Sequence, residues 1–107
     1  MDDARFRAEQ LLTLSSGARR LADLIAAAEG PVRYEVLRHL LRVSEETMSE
    51  VLEEAVHVRL VRRTDDPFMY EPWDPALGDE LRGHMAPERV ARMRSQLAGA
   101  HERVFEQ

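Results

Sequence analysis

The sequence contains no cysteine and no lysine, few aromatic residues and no long apolar run. Without cysteine there is no disulfide framework, no thiol catalysis and no cysteine-ligated zinc site, a composition that suits a reducing compartment. Without lysine there is none to serve the phosphates of a P-loop, and no glycine-rich phosphate loop stands in the chain either. No apolar stretch approaches the ~20 residues that cross a bilayer. The acidic, polar start Met1-Asp2-Asp3-Ala4-Arg5 is unlike a signal peptide, so the expectation is a cytoplasmic protein without a membrane partner. With 3 Phe, 2 Tyr and 1 Trp, the interior falls to Leu, Val, Ala and Met.

What is present describes an ordinary globular chain. Its 107 residues are one domain's worth and support one modest core. Hydrophobic residues make up 44% and charged residues 33%, which separates it from disordered chains. The 15 basic residues, all arginine, face 20 acidic ones, for a net charge of -5. Proteins that live on nucleic acid usually show a basic balance or at least a basic stripe. The overall balance here has the wrong sign, so any such stripe must be local.

The pattern is densest from Ser44 to Trp73. Ser44 is an N-cap, and Glu45 and Glu46 fall in the first turn, where the helix dipole favours carboxylates. Met48, Val51, Leu52 and Ala55 then follow the i, i+3, i+4, i+7 spacing of one apolar face, on a helix running to His57. Leu60 to Thr64, a turn at Asp65-Asp66-Pro67, and Phe68-Met69-Tyr70 read as a short β-hairpin.

Upstream, 3–14 reads as a short helix on Phe6, Leu11, Leu12 and Leu14. Ser15-Ser16-Gly17 offers a fresh cap for a helix with Ala18, Leu21, Leu24, Ile25 and Ala28 on one face, closed by Gly30-Pro31. Val32-Arg33 reads as a very short strand. Tyr34 to Arg42 is a helix with Leu37, Leu40 and Leu41 inward and Arg38, His39 and Arg42 outward, joined tightly to the Ser44 helix as in a helix-turn-helix. Downstream, Asp74-Pro75 starts a helix to about His84 on Leu77, Leu81 and Met85, weakened by Gly78. From Glu88 to Phe105 a stripe of Val90, Met93, Leu97, His101 and Val104 forms the last helix, with His101 read as a packed core or boundary residue.

Helix, helix, helix, hairpin is the order of a winged helix. The expected architecture is mainly α with a small β-hairpin, as one domain over 1–107. Within it, 1–14 is an N-terminal helix, 15–73 the winged helix-turn-helix core and 74–107 the C-terminal helices.

In a helix-turn-helix that binds DNA, the outward face of the second helix enters the major groove. Here that face carries Glu45, Glu46, Glu50, Glu53 and Glu54, with no arginine before Arg59. Affinity for DNA comes largely from cations that displace the phosphate counterions, so carboxylates in that place oppose binding. These glutamates are therefore candidate contacts for a protein partner with a cationic surface; a plain solvated face is the other reading. Arg59, Arg62 and Arg63 by the hairpin, with Arg33, Arg38 and Arg42, form the alternative nucleic-acid contact or a salt-bridging surface. Trp73, Tyr70 and Phe68 read as hairpin packing on the core in preference to a base-stacking platform. The four histidines lack metal-ligand spacing, and no catalytic, metal or cofactor residues are expected.

The segments Leu14 to Leu24, Gly30-Pro31-Val32, Leu37 to Leu41, Val43 to Glu46, Val51 to Ala55, Leu60-Val61-Arg62, Asp74 to Leu81 and Ala86 to Arg89 resemble a known domain. It is the winged-helix domain that follows the ATPase module in bacterial STAND-type regulators, the large ATP-binding LuxR-type activators and their relatives. The resemblance covers most of the chain from Leu14 to Leu97. It implies a relay that packs on the nucleotide-binding module, stabilises the resting form and swings when the switch fires. Family members often carry a histidine after the last strand; the matching place here is Asp74, preceded by Trp73. The ATPase module is not in this chain, which makes it an excised domain or a free-standing relative. The leading expectation is a non-enzymatic regulatory or adaptor module acting by protein contacts. The alternative is a small transcription regulator that binds DNA by its arginine-bearing hairpin, as a homodimer through its terminal helices.

Overall fold

Residues 14–105 are described by a computed structural model of the chain; the helix expected over 3–14 lies outside them apart from Leu14. The elements run α1 (Ser16–Ala27), β1 (Val32–Arg33), α2 (Tyr34–Leu41), α3 (Glu45–His57), β2 (Val61–Arg63), β3 (Met69–Pro72), α4 (Pro75–Gly83) and α5 (Pro87–Phe105). The described chain is thus mainly helical, with one small antiparallel sheet of order β1-β3-β2. None of its helices is long and apolar enough to cross a membrane.

The element at the centre is α1, and not the Ser44 helix on which the sequence pattern is densest. Ser15 caps α1 by accepting from the Ala18 amide at 3.2 Å. From Leu21 to Ala27 every residue is buried, because α2, α3, α4, α5 and β3 all pack on this helix. Ala18, Ala22, Ala26 and Ala27 are fully covered, and their small side chains let neighbours approach from several sides. By contrast α3 buries only the single face its spacing predicts, Met48, Val51, Leu52 and Ala55.

The far end of α1 departs from expectation. The helix stops at Ala27, short of Gly30-Pro31, and no glycine takes a positive φ among the described residues. The last carbonyls of a helix need donors and favour cations, yet α1 has no basic residue in its last turn. Arg82 of α4 donates to the Ala26 carbonyl at 2.7 Å, and Arg94 of α5 donates to the Ala27 carbonyl at 2.7 Å. Arg89 pairs at 3.0 Å with Asp23, the one buried charged residue of the described chain. Two arginines from distant helices therefore close α1, and a third pairs with its buried aspartate.

Val32-Arg33 forms the expected strand, pairing Val32 with Tyr70 and Arg33 with Met69. On its other side β3 pairs Val61 with Pro72, Arg62 with Glu71 and Arg63 with Tyr70, so the hairpin's second strand is the middle of the sheet. The turn is held by Asp66, whose carboxylate accepts from the Phe68 amide at 3.0 Å. Asp74 caps α4, accepting from the Leu77 amide at 2.8 Å, with Pro75 behind it. Gly78 is buried there: a Cβ would sit 3.2 Å from the Pro72 ring, so the glycine sets how closely α4 approaches β3.

On α5 the inward residues are Met93, Leu97 and Ala100, with Val90 and Val104 partly covered. His101, expected in this stripe, is exposed and lies against Phe105 with ring centroids 4.8 Å apart. The seam steps from Leu97 by three residues to Ala100 and then by four to Val104, which turns position 101 away from the core.

Candidate functional site

The α3 helix begins at Ser44, whose hydroxyl accepts from the Thr47 amide at 3.2 Å, and its first turn holds Glu45 and Glu46. The five glutamates of its outer face fare differently. Glu45 is drawn aside by the Arg38 guanidinium at 3.2 Å. Glu54 lies against the start of α1: one carboxylate oxygen accepts from the Ser15 amide at 2.9 Å, the other from the Ser15 hydroxyl at 2.7 Å. Those two hydrogen bonds, the hydroxyl's above all, hold the Glu54 carboxyl below its ordinary pKa. Glu54 is thus a clamp between α3 and α1, set at the helix end where a negative charge is favoured. Glu46, Glu50 and Glu53 are exposed and have no ion pair or side-chain hydrogen bond among the described residues.

Two of these three border a groove between α3 and the hairpin, about 790 Å³ in volume. Leu52, Val56 and Tyr70 give it apolar surface, while Glu50 and Glu53 stand at its edge with Arg63. Val56 is 37% exposed, a branched apolar side chain facing water on an otherwise acidic face. It is not among the site residues expected from the sequence, although its position outside the Met48, Val51, Leu52, Ala55 stripe is a signal there. Tyr70 belongs to the groove wall as much as to the core, against which it and Trp73 pack. Phe68 goes neither way and stands 56% exposed near the hairpin tip.

The arginines expected as an alternative contact are not gathered into one basic surface. Arg62 lies opposite Glu71 in the sheet and pairs with it at 2.9 Å. Arg59 adopts a left-handed backbone, φ 61°, and its guanidinium lies 5.7 Å from the Trp73 ring centre. Arg63 sits beside the acidic groove, and the tip beyond it carries exposed Asp65 and Asp66. Arg33 lies over the Phe105 ring at 4.9 Å and 3.9 Å from Glu35.

Chemically, the α3 groove matches a segment that brings cations to Glu50 and Glu53 and an apolar side chain to Val56 and Tyr70. Among the described residues no group of three or more His, Asp or Glu is placed to hold a metal ion. Comparisons of the chain with family models, curated proteins and solved structures give no match.

Proposed function

We propose that this chain is a winged-helix module that works by binding protein, through the groove between α3 and the hairpin. The succession α1, α2, α3, β2, β3, with β1 adding a third strand, supports the winged-helix reading. The observation that carries the function is the state of Glu46, Glu50 and Glu53. They stand without an ion pair among the described residues, on the helix face that a DNA-reading winged helix would lay between phosphates. A carboxylate row there opposes nucleic acid and favours a cationic segment, and the apolar floor at Val56 and Tyr70 gives such a segment something to bury. A regulatory relay or adaptor of the STAND type fits this chemistry, with a nucleotide-binding module or another protein as partner.

The test uses a synthetic amphipathic peptide with arginines along one edge of a leucine face, titrated into the full chain by fluorescence anisotropy. Saturable binding is expected. Glu50→Arg with Glu53→Arg should weaken it roughly tenfold or more, as expected for loss of close charge pairs, with the melting temperature little changed because both positions are exposed. Peptide binding unaffected by the double change would reduce the glutamates to a solvated surface. Salt-sensitive binding of mixed-sequence duplex DNA that is lost on Arg59→Gln with Arg63→Gln would favour the DNA-binding alternative.

A further inference from the structure

A second cleft, of about 550 Å³, lies between α2 and α5. Arg20 of α1, Arg42 at the end of α2, and Arg92 and Arg103 of α5 line it with His39, and no aspartate or glutamate does. Six other arginines of the described chain, Arg33, Arg38, Arg62, Arg82, Arg89 and Arg94, each lie beside a carboxylate, while Arg19, Arg59 and Arg63 also have no ion pair there. With 20 acidic residues against 15 basic ones, carboxylates are plentiful. Yet the four cleft arginines have no ion pair among the described residues, and the only side-chain hydrogen bond they make there runs from Arg20 to the Leu40 carbonyl at 3.2 Å. Like charges gathered in one cleft repel when they lie within the Debye length, ~8 Å at physiological salt. Their grouping adds nothing to stability unless an anion joins them.

A second observation points to an occupant. Gly99 lines the cleft from the interior of α5, a position where glycine is among the poorest helix formers. Packing among the described residues does not call for it: a Cβ at Gly99 would meet none of their atoms within 4 Å. The missing side chain leaves open space on the cleft wall. The volume is that of a small-molecule site, and guanidinium forks suit phosphoryl oxygens two at a time. Four guanidiniums in one cleft call for several negative charges in close succession, and a chain of phosphoryl groups supplies them.

We propose that the arginine cleft between α2 and α5 binds a condensed phosphate, an anion of two or three linked phosphoryl groups. The cleft is separate from the α3 groove, and the two proposals stand or fall separately.

Isothermal titration of the full chain with sodium tripolyphosphate, at an ionic strength near physiological, tests it. One saturable site is expected, with a melting temperature that rises with ligand concentration. Arg92→Gln with Arg103→Gln, both exposed helix positions, should weaken binding roughly tenfold or more, since charge-assisted hydrogen bonds are lost. The phosphate-free melting temperature should stay nearly unchanged. Gly99→Ala should weaken binding while raising that temperature, a pairing that a purely structural glycine would not give. The Glu50→Arg, Glu53→Arg variant should bind tripolyphosphate at least as well as the parent. A titration without saturation, or one that the Arg92, Arg103 variant leaves unchanged, overturns the proposal. So does a phosphate-free dimer that this variant turns into a monomer, which would make the cleft an interface between copies.

Discussion

Two concave surfaces of this chain carry charges with no ion pair among the described residues, mostly acidic in one and basic in the other. Between α3 and the hairpin, Glu50 and Glu53 stand over Leu52, Val56 and Tyr70. Between α2 and α5, Arg42, Arg92 and Arg103 stand around Gly99 and Ala100. Elsewhere six arginines are matched in pairs, as with Arg38 and Glu45, Arg62 and Glu71, or Arg89 and Asp23. Exposed ion pairs contribute little to stability, so matching is not what holds the fold together. What the contrast teaches is where the chain keeps charge available for something else: carboxylates with an apolar floor in one place, guanidiniums with open space in the other.

Both surfaces rest on α1, which packs against α3 on one side and α2 and α5 on others. The largest effect should therefore come from a change that breaks both at once. Leu24→Ala, at a fully buried position, should cost about 3 kcal/mol in denaturant unfolding, within the usual range for a core leucine. Loss of less than ~1 kcal/mol would show that the two regions do not share this support.

Glu54→Ala should act on the acidic side alone. Removing the clamp on Ser15 should cost about 1 kcal/mol at neutral pH, the usual worth of a helix-end interaction. The folded-state pKa of Glu54 is lowered from its ordinary 4.5, so this stability is present above that value. It is lost as pH falls through the folded-state pKa. Unfolding curves of variant and parent should therefore converge in acid.

Gly99→Ala should act on the arginine side alone and in the opposite direction, stabilising the chain by about 0.5 to 1 kcal/mol through helix propensity and the unfolded state. Destabilisation in thermal unfolding would mean that the open space at Gly99 is filled within the chain.

Asp23→Asn should have the smallest effect at neutral pH, about 0.5 kcal/mol or less. Burial raises the Asp23 pKa above its ordinary 3.8 against the opposing pull of Arg89 and Arg19. The folded state therefore holds this proton more tightly than the unfolded chain, and the parent loses stability as pH rises from 3.8 through the raised value. The variant should lack that slope. Because the arginine left behind is half exposed, the larger cost of stranding a buried charge does not arise.

The local devices of the fold are legible in the sequence. The caps at Ser15, Ser44 and Asp74 with Pro75 and the apolar spacing of α3 all depend on neighbours a few residues apart. What was hidden depends on distant pairs. Glu54 reaches Ser15 across 39 residues, and Arg82 and Arg94 reach the end of α1 across 56 and 67. No local periodicity marks such contacts, so the clamp read as one more outward glutamate and the arginine closures as surface charge. The arginine cleft was invisible for the same reason, since its residues come from α1, from α5 and from the end of α2. His101 differs, because its four-residue spacing from Leu97 fits an apolar stripe while the buried seam passes through Ala100 instead.

The measurement that tests the central claim most directly is an amide-resolved NMR titration of the full chain with the arginine-leucine peptide at physiological salt. Binding in the α3 groove should give shifts that saturate and cluster at Glu50, Glu53, Val56 and Tyr70. Saturating shifts confined to other surfaces, or none at all, would contradict it.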